Sequence, residues 1–324
     1  MQPLSQSSLH LPDASPQNSS LAESIKQYAR ELGFDKIGIV RAVALDHEAS
    51  QLNEWLARGF HADMEWMLRN VEKRTNPSEL LSDARSVVVV ALNYFTPAKH
   101  KDDSSTGKIS RYAWGDDYHN VVCEKLRSLL DKIKADRPDA EGKVCVDIQP
   151  VMDKAWAVRA GLGWLGKHSN VITPEFGSWI FIGELLLNLE LDYDTEAVED
   201  HCGTCTLCID ACPTEAIVEP YVVDSNKCIS YATIELRAPE IPDSVAENLS
   251  GWLYGCDICQ DVCPWNRFEQ ETPDARFTPR AGNVNASLSE ILELNQETYA
   301  ERFHDSAMKR AKLAGLQRNA KALL

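Results

Sequence analysis

The sequence contains 324 residues with a formal net charge of −16; 44% of the residues are hydrophobic and 25% are charged. These proportions are typical of a folded globular protein, and the acidic balance argues against nucleic-acid binding over the whole surface but not at a local basic site. No stretch approaches the roughly 20 apolar residues of a membrane span. Residues 1–19 lack the basic start and apolar core of a secretory signal, so we expect a disordered tail there and a cytoplasmic protein.

Helical and strand patterns alternate through residues 20–192. Ser20 followed by Glu23 forms a capping box that starts the first helix, and Gly33 ends it. The mostly apolar segment SVVVVALNYF predicts a central strand that is buried on both faces. Helices are predicted at 21–32, 46–58, 62–72, around Val122 to Ile133 and at 151–160, and strands at 36–40, 86–95, 108–114, 143–148, 170–173 and 178–189. This mixture predicts an α/β or α+β domain.

The composition changes after an acidic stretch at residues 190–200, which we interpret as a linker. The predicted organisation is therefore a tail at 1–19 and an α/β domain at 20–192. A cysteine-rich domain follows at 193–270, and a helical extension occupies 271–324.

Eight of the ten cysteines lie within residues 202–263 at spacings typical of metal clusters. The first run reads C-x2-C-x2-C-x3-C-P, and the second is a single cysteine followed by C-x2-C-x3-C-P. In two-cluster ferredoxins the fourth cysteine of such a run binds the other cluster. We therefore assign one [4Fe–4S] cluster to Cys202, Cys205, Cys208 and Cys263. The other is assigned to Cys228, Cys256, Cys259 and Cys212.

Other uses of these cysteines fit the spacing less well. C-x2-C pairs also bind structural zinc, but both runs end in Cys-Pro, as the crossed cluster arrangement requires. Disulfides are disfavoured because nothing in the sequence indicates secretion. Cys123 and Cys145 fall outside the spacing and match the periodicity of a helix and a strand, so we expect them in the core.

Two segments of the α/β domain carry candidate chemistry. Asp147 follows an apolar strand, where partial desolvation would raise the pKa of its carboxyl and suit it to general acid catalysis; an ordinary hydrogen-bonded aspartate is the alternative. The glycine-rich loop at 161–170 follows a helix, unlike a dinucleotide fingerprint. Its glycines could allow close approach of a large ligand, with Lys167 and His168 adding a charge and a hydrogen bond, or the loop could be a structural turn.

Residues 306–321 contain five basic side chains and no acidic one. Such a segment could contact phosphates, or it could be a solvated helix face. The candidate phosphate contacts are Lys309, Arg310, Lys312 and Arg318.

Six motifs occur in the order in which one family carries them: KISRYAWGDDYH, VDIQPVMDKAWAVRAGLGWLGKHSN, GSWIFIGELLLN, HCGTCTLCIDACPTEAI, CISYATIEL and YGCDICQDVCPWNR. On these motifs the sequence resembles the epoxyqueuosine reductases over residues 21–324. The resemblance implies a cobalamin-dependent iron–sulfur enzyme that reduces the epoxide of epoxyqueuosine, at the wobble position of tRNA, to the cyclopentene of queuosine. It also implies base-off cobalamin on a nitroreductase-like α/β domain, beside a ferredoxin-like domain with two [4Fe–4S] clusters.

The resemblance assigns Asp147 as the proton donor. The cobalamin surround that it implies consists of Asn70, Arg74, Ser110, Arg111, Tyr118, His119, Asp147, Lys167, His168, Val171, Ile182, Tyr254 and Gly255. The implied partners are tRNA carrying epoxyqueuosine and a low-potential electron donor, and we expect a monomer without membrane association. Some family members add a C-terminal helical repeat module, which this sequence does not show, so other residues would have to supply those tRNA contacts.

Two alternatives carry different functions. Reductive dehalogenases share the plan of a corrinoid and two clusters, but they usually have a twin-arginine export signal, which this sequence lacks. A ferredoxin-like electron carrier would leave the residues before the clusters without a role. The reductase hypothesis gives a role to both the α/β domain and the cysteine-rich domain. The clusters can supply low-potential electrons to cobalt, and Asp147 can protonate the departing oxygen.

Overall fold

The computed structural model describes residues 20–194 and 196–324, so the predicted tail at 1–19 lies outside the described residues. The helices are α1 (Leu21–Glu31), α2 (Asp46–Ala57), α3 (Val71–Thr75), α4 (Tyr118–Asp136), α5 (Asp153–Arg159), α6 (Leu207–Asp210), α7 (Ile229–Ile234), α8 (Asp243–Ala246), α9 (Ile258–Asp261), α10 (Leu288–Glu293), α11 (Gln296–Arg302) and α12 (Lys312–Ala322). The strands are β1 (Lys36–Arg41), β2 (Ser86–Asn93), β3 (Thr106–Ile109), β4 (Gly142–Cys145), β5 (Trp164–Leu165), β6 (Val171–Ile172), β7 (Ile180–Leu187), β8 (Ile217–Glu219), β9 (Val222–Val223), β10 (Trp252–Tyr254) and β11 (Asn285–Ser287). Among the helices in these two ranges, none is long and apolar enough to cross a membrane.

The larger sheet is antiparallel and has the strand order β1–β2–β7–β4. Every residue of β2 is buried, as its mostly apolar sequence predicts. Helices α1 and α4 cover one face of this sheet, and α5 covers the other. Burying each valine of β2 contributes roughly 1.5–3 kcal/mol, so this strand is the framework on which the neighbouring loops are placed.

Three predicted elements differ from the structure. The helix expected at 62–72 is replaced by a 3₁₀ turn at Glu65–Met67 and the short α3, because Asn70 takes a left-handed conformation with φ 60° that an α-helix cannot contain. The strand expected at 108–114 ends at Ile109. The strand expected at 143–148 ends at Cys145, and Asp147 lies in the loop that follows with φ 52°.

A smaller sheet joins three distant parts of the sequence, with β3 between β10 and β11. Lys108 pairs with Trp252 in the parallel strand β10 and with Asn285 in the antiparallel strand β11. Gly107 is required at this point because a Cβ there would lie 2.5 Å from the Cβ of Leu253. The segments predicted at 20–192, 193–270 and 271–324 therefore each contribute one strand to the same sheet.

Helix α12 is anchored by two adjacent buried polar residues. The guanidinium of Arg318 donates to three backbone carbonyls at or just beyond α7, those of Ala232, Leu236 and Ala238, over 2.6, 2.8 and 3.0 Å respectively. The amide of Asn319 donates to the carbonyls of Thr233 and Leu253 over 2.8 and 2.9 Å. Helix α12 therefore holds α7 and β10 together.

Candidate functional site

Asp147 lies between the start of α4 and the start of α5 with an accessible side chain, and we call the space in front of this side chain the cleft. The hydroxyl of Tyr118 donates to its Oδ2, and Nε2 of His119 lies 3.3 Å from the same oxygen. The Asp147 side chain is 61% accessible, yet the surrounding protein is close enough to desolvate its charge. Both partners belong to the start of α4, which Asp117 caps by accepting from the backbone N–H of His119.

The prediction that the pKa of Asp147 is raised is wrong. Burial by itself would raise the pKa of its carboxyl, as the sequence predicts. The hydrogen bonds from His119 and Tyr118, together with the positive charges of His119 and Lys154, outweigh burial and lower the pKa of Asp147 below its usual value. Asp147 is therefore ionised at neutral pH, and its proton has to come from a neighbour.

His119 is the protonated neighbour. Its Nδ1 lies 2.6 Å from Oδ1 of Asp117, and its Nε2 faces Asp147. Burial alone would lower the pKa of His119, but the two carboxylates raise it to about 9. His119 is thus an imidazolium at neutral pH, held between one carboxylate that orients it and one that faces the cleft.

Several other predicted cofactor residues lie around the same cleft. The charge of Asp147 reaches Arg74, whose pKa is lowered by burial. The rings of Tyr118 and Tyr254 both pack against Tyr112, with centroid distances of 6.1 and 6.0 Å. A cavity of about 80 Å³ lies beside Lys154 and is lined by Tyr94, Lys154, Asn170, Val171, Ser178, Ile180, Ile182 and Gln260. Val171 and Ile182 were among the predicted cobalamin contacts.

His168 provides an unused hydrogen-bond donor near this cavity. It is 4% exposed, and burial lowers its pKa to about 4, so the ring is neutral. Its Nδ1 accepts from the backbone N–H of Asn170 over 3.2 Å, which leaves the proton on Nε2. Among the described residues, Nε2 of His168 and Nε of Arg74 have no hydrogen-bond partner. A bound ligand with amide oxygens would satisfy such donors.

Other predicted contacts have partners within the protein. The hydroxyl of Ser110 and the backbone N–H of Arg111 donate to the carboxylate of Asp257. Nζ of Lys167 donates to the carbonyls of Gly203 and Cys205 over 2.6 and 2.9 Å. These side chains support the cysteine-bearing loops. Gly255 similarly donates its N–H to the hydroxyl of Thr233, and Asn70 lies exposed at the start of α3.

The glycine-rich loop does not present its glycines to a ligand. A Cβ on Gly163 would lie 2.1 Å from the carbonyl oxygen of Ile172, and one on Gly161 would lie 2.4 Å from that of Glu196. A Cβ on Gly166 would lie 2.6 Å from the Ile172 side chain. These glycines therefore permit close packing of chain segments, and the expected close approach of a ligand is not their role.

The two cysteine runs pack against each other, and none of the ten cysteines forms a disulfide. Helix α6, with Cys208, lies against α9, with Cys259. Burial raises the pKa of Cys263, and the thiols of Cys202 and Cys205 raise it further, which places this thiol beside the first run. These neighbours agree with the crossed assignment, which stays a prediction. Cys123 and Cys145 are buried in the core, as predicted.

The two groups of thiols lie in different surroundings. The charges of Cys259 and Cys228 act on Lys154, so the second group is next to the cleft. The first group lies beside Lys167 and an aromatic cluster in which Trp164 packs against His201 and Trp265 with centroid distances of 5.1 and 4.9 Å.

The basic segment is not uniformly available for phosphate contact. Arg318 is buried and bonded to carbonyls around α7, so its prediction as a phosphate contact is wrong. Arg310 forms two hydrogen bonds of 2.6 and 2.7 Å with Glu235. Lys309 and Lys312 are exposed. The two lysines are thus the residues of this segment that remain suited to bind phosphate.

Sequence reasoning missed three titratable residues beside Asp147. Oδ1 of Asp153 accepts the backbone N–H of Asp147 over 3.1 Å. Nζ of Lys154 donates to the carbonyl of Ser169 and to Oδ1 of Asn170. Glu184 is fully buried in β7. A glutamate within the apolar run WIFIGELLL was the one sequence signal that pointed to any of them.

Comparison with known proteins identifies two matching family models. One, described as "Epoxyqueuosine reductase QueG, DUF1730", matches residues 74–148, and the other, described as "4Fe-4S double cluster binding domain", matches residues 201–266. The sequence is 51% identical to an epoxyqueuosine reductase of Synechocystis sp. over 280 residues, which is 86% of this chain and 96% of that protein.

Solved structures agree with these matches. A structure of epoxyqueuosine reductase with an epoxyqueuosine-modified tRNA stem loop gives a TM-score of 0.88 at 34% identity, over 94% of this chain and 80% of that one. A Bacillus subtilis epoxyqueuosine reductase, described with its catalytic aspartate loop swung out of the active site, gives a TM-score of 0.87 at 32% identity, over 94% and 81% of the two chains. The predicted mixed α/β fold with a double-cluster domain is confirmed.

The state of His119 leads to a pH prediction. Because folding raises the pKa of His119 from 6.5 to about 9, its stabilising contribution is complete below pH 6.5 and is lost as pH rises through 9, about 3 kcal/mol in all. In His119→Gln the melting temperature of the cofactor-free protein should therefore fall less between pH 6.5 and 9 than in the wild type. His304→Gln, at an exposed position, should retain the wild-type slope. Equal slopes in His119→Gln and wild type would contradict the assignment.

Proposed function

The chain belongs to the epoxyqueuosine reductase family and is an oxidoreductase that reduces epoxyqueuosine to queuosine; we propose that it acts on this nucleoside at the wobble position of tRNA, with cobalamin held in the cleft beside Asp147. The observation that carries the proposal is the cleft itself. It places an acid–base network, unpartnered buried donors and the second group of cluster thiols around one space. The dehalogenase and electron-carrier alternatives are not favoured by the relatives.

The residues around the cleft fit a corrinoid. Its peripheral amides would accept hydrogen bonds from Nε2 of His168 and Nε of Arg74, and its apolar face would rest on Val171 and Ile182. Cobalamin, when bound, supplies the low-potential electrons that break the carbon–oxygen bond. The protein's part is to position the substrate, exclude water and manage protons.

The proton balance defines the roles of the protein residues. Converting an epoxide to an alkene consumes two electrons and two protons and releases the oxygen as water. Asp147 is the group that faces the cleft, and His119 holds a proton 3.3 Å away on Nε2. We infer that His119 passes this proton to Asp147, which delivers it to the departing oxygen, while Asp117 stabilises and orients the imidazolium. The second proton reaches the oxygen by the same route after His119 is reprotonated from solvent.

The placement of the cysteines supports an order of electron transfer. The cluster of Cys228, Cys256, Cys259 and Cys212 would lie nearest the cleft and would be the last carrier. The cluster of Cys202, Cys205, Cys208 and Cys263 would receive electrons from an external low-potential donor.

Asp147→Asn tests the proposed function. The substitution should retain cobalamin and both clusters, and it should lower turnover by roughly 10²–10⁴-fold, because the amide cannot deliver a proton. The measurement is queuosine formed in epoxyqueuosine-containing tRNA by the anaerobically reconstituted enzyme. Asp139→Asn, at a surface position, should have wild-type activity. Wild-type activity in Asp147→Asn would show that another group donates the proton.

Iron content and the spectra of single-cluster variants test the crossed assignment. Reconstituted wild type should hold about eight irons per chain, and each variant that loses one cluster about four. Cys212→Ala and Cys228→Ala should lose the same cluster and leave the same electron paramagnetic resonance signal, whereas Cys205→Ala should leave the other signal. Cys123→Ala should keep all eight irons. If Cys212→Ala behaved like Cys205→Ala, the ligands would not be crossed.

Salt dependence tests the proposed phosphate contacts. Replacing Lys309 and Lys312 with alanine should weaken tRNA binding and reduce the log–log salt slope by roughly 1.4–1.8, at 0.7–0.9 per phosphate contact. Cluster and cobalamin content should stay unchanged. The control is Lys132→Ala with Lys134→Ala, which removes the same charge from the end of α4 remote from Asp147. Equal slopes in the two double variants would place the tRNA elsewhere.

A further inference from the structure

Glu184 is a buried acid that the proton route above does not use. It lies in the centre of the larger sheet, where its backbone pairs with Val89 of β2 and Cys145 of β4. Its side chain is fully buried, and among the described residues no N–H or hydroxyl group donates a hydrogen bond to either carboxyl oxygen. An ionised carboxylate without a partner is too costly in such a place, so the side chain must hold a proton. Burial, then the charges of Asp153 and Asp147, raise the pKa of Glu184 well above its usual value.

Asp153 connects this buried acid to the active-site loop. It lies in the first turn of α5, the helix that packs against β7 and so against the strand of Glu184. Its Oδ1 accepts the backbone N–H of Asp147 over 3.1 Å. That hydrogen bond helps to hold a strained loop, because Asp147 has φ 52°, a conformation that costs energy in a residue other than glycine. The neighbouring Ile148 side chain is 69% exposed, so little apolar packing holds the loop in place.

We propose that Glu184 is a positioning residue for Asp147: its protonated carboxyl donates to the Asp153 carboxylate, which in turn holds the backbone N–H of Asp147. The proposal rests on the proposed role of Asp147 and adds the device that keeps it facing the cleft. One carboxyl must be neutral for two acids to lie together. Glu184, farther from solvent, is the one that keeps the proton.

The titratable groups around Glu184 support the assignment of the proton to Glu184 and of the negative charge to Asp153. They are Cys145 on β4, Asp153 on α5 and Asp147 in the loop after β4; Lys154 follows Asp153 on the same helix. Burial raises the pKa of the Cys145 thiol to about 12, so Cys145 carries no charge at neutral pH. Lys154 directs its ammonium to the carbonyl of Ser169 and the amide of Asn170. Asp153 is therefore the group that accepts the hydrogen bond from the protonated carboxyl of Glu184.

Infrared spectroscopy tests the protonated state in cofactor-free protein. A neutral carboxylic acid has a carbonyl stretch separate from the bands of carboxylates and amides. At pH 8 the wild type should show this band, and Glu184→Gln should lose it. Glu141→Gln, at an exposed position directly before β4, should keep it. If the band is absent from the wild type, or survives in Glu184→Gln, Glu184 is not the neutral acid and the proposal is overturned.

Hydrogen exchange tests the positioning role, and it needs neither cofactor nor turnover. Glu184→Leu removes the donor and keeps the site filled, whereas Glu184→Gln keeps a donor in its amide. The peptide containing the Asp147 amide should exchange roughly 10–100-fold faster in Glu184→Leu, the effect of weakening a hydrogen bond to a charged acceptor. Glu184→Gln should exchange at the wild-type rate, and exchange of β2 should be unchanged in both, which excludes global loss of stability.

The comparison separates the possible outcomes. Wild-type protection in Glu184→Leu would overturn the proposal, and equal loss of protection in both variants would overturn the donor role. Turnover should follow the same order, with Glu184→Leu reduced and Glu184→Gln close to wild type. Because the infrared and exchange measurements do not depend on activity, they stand even if Asp147→Asn shows that another residue protonates the substrate.

Discussion

The pairing of β3 with strands on both sides is the constraint on which the site depends. It brings together the α/β part, the cysteine-bearing part and the C-terminal part of the chain. The chain leaves β3 through Ser110 and Arg111, which bind Asp257 between two cysteines of the second run. It then enters α4 at Tyr118 and His119, which meet Asp147. One short strand therefore sets the acid–base network and the cluster ligands relative to each other.

The sequence was most informative where the chemistry depends on local spacing. The cysteine runs and the buried β2 could be predicted because each is determined by neighbours along the chain. The protonation of Asp147 could not, because it depends on His119 and on Asp117, which meet Asp147 only in the folded structure. Arg318 shows the same limit. Its position among basic residues predicted phosphate contact, and tertiary packing instead directs it to the carbonyls around α7.

The charges of the site are matched locally. His119 lies between two carboxylates, and Asp153 lies beside the buried acid of Glu184. The ammonium of Lys154 donates hydrogen bonds to oxygen atoms of Ser169 and Asn170. Such matching matters because a charge in a partly desolvated cleft is costly unless it is paired. The net charge of −16 has little effect on the site, because salt screens surface charges that lie more than about 10 Å away. An acidic protein can in this way present a protonated imidazolium to a substrate attached to a polyanion.

The attachment of α7 to α12 has a consequence for biosynthesis. Cys228 immediately precedes α7, and the carbonyls around that helix are satisfied by Arg318 and Asn319, about 90 residues later in the sequence. During translation the chain emerges from its N-terminus, so the α/β sheet through β7 can form first. The surroundings of Cys228 are completed only when α12 has left the ribosome. The cluster that this cysteine would bind is therefore best inserted after synthesis, because contacts of such long sequence separation cannot form until both segments are available.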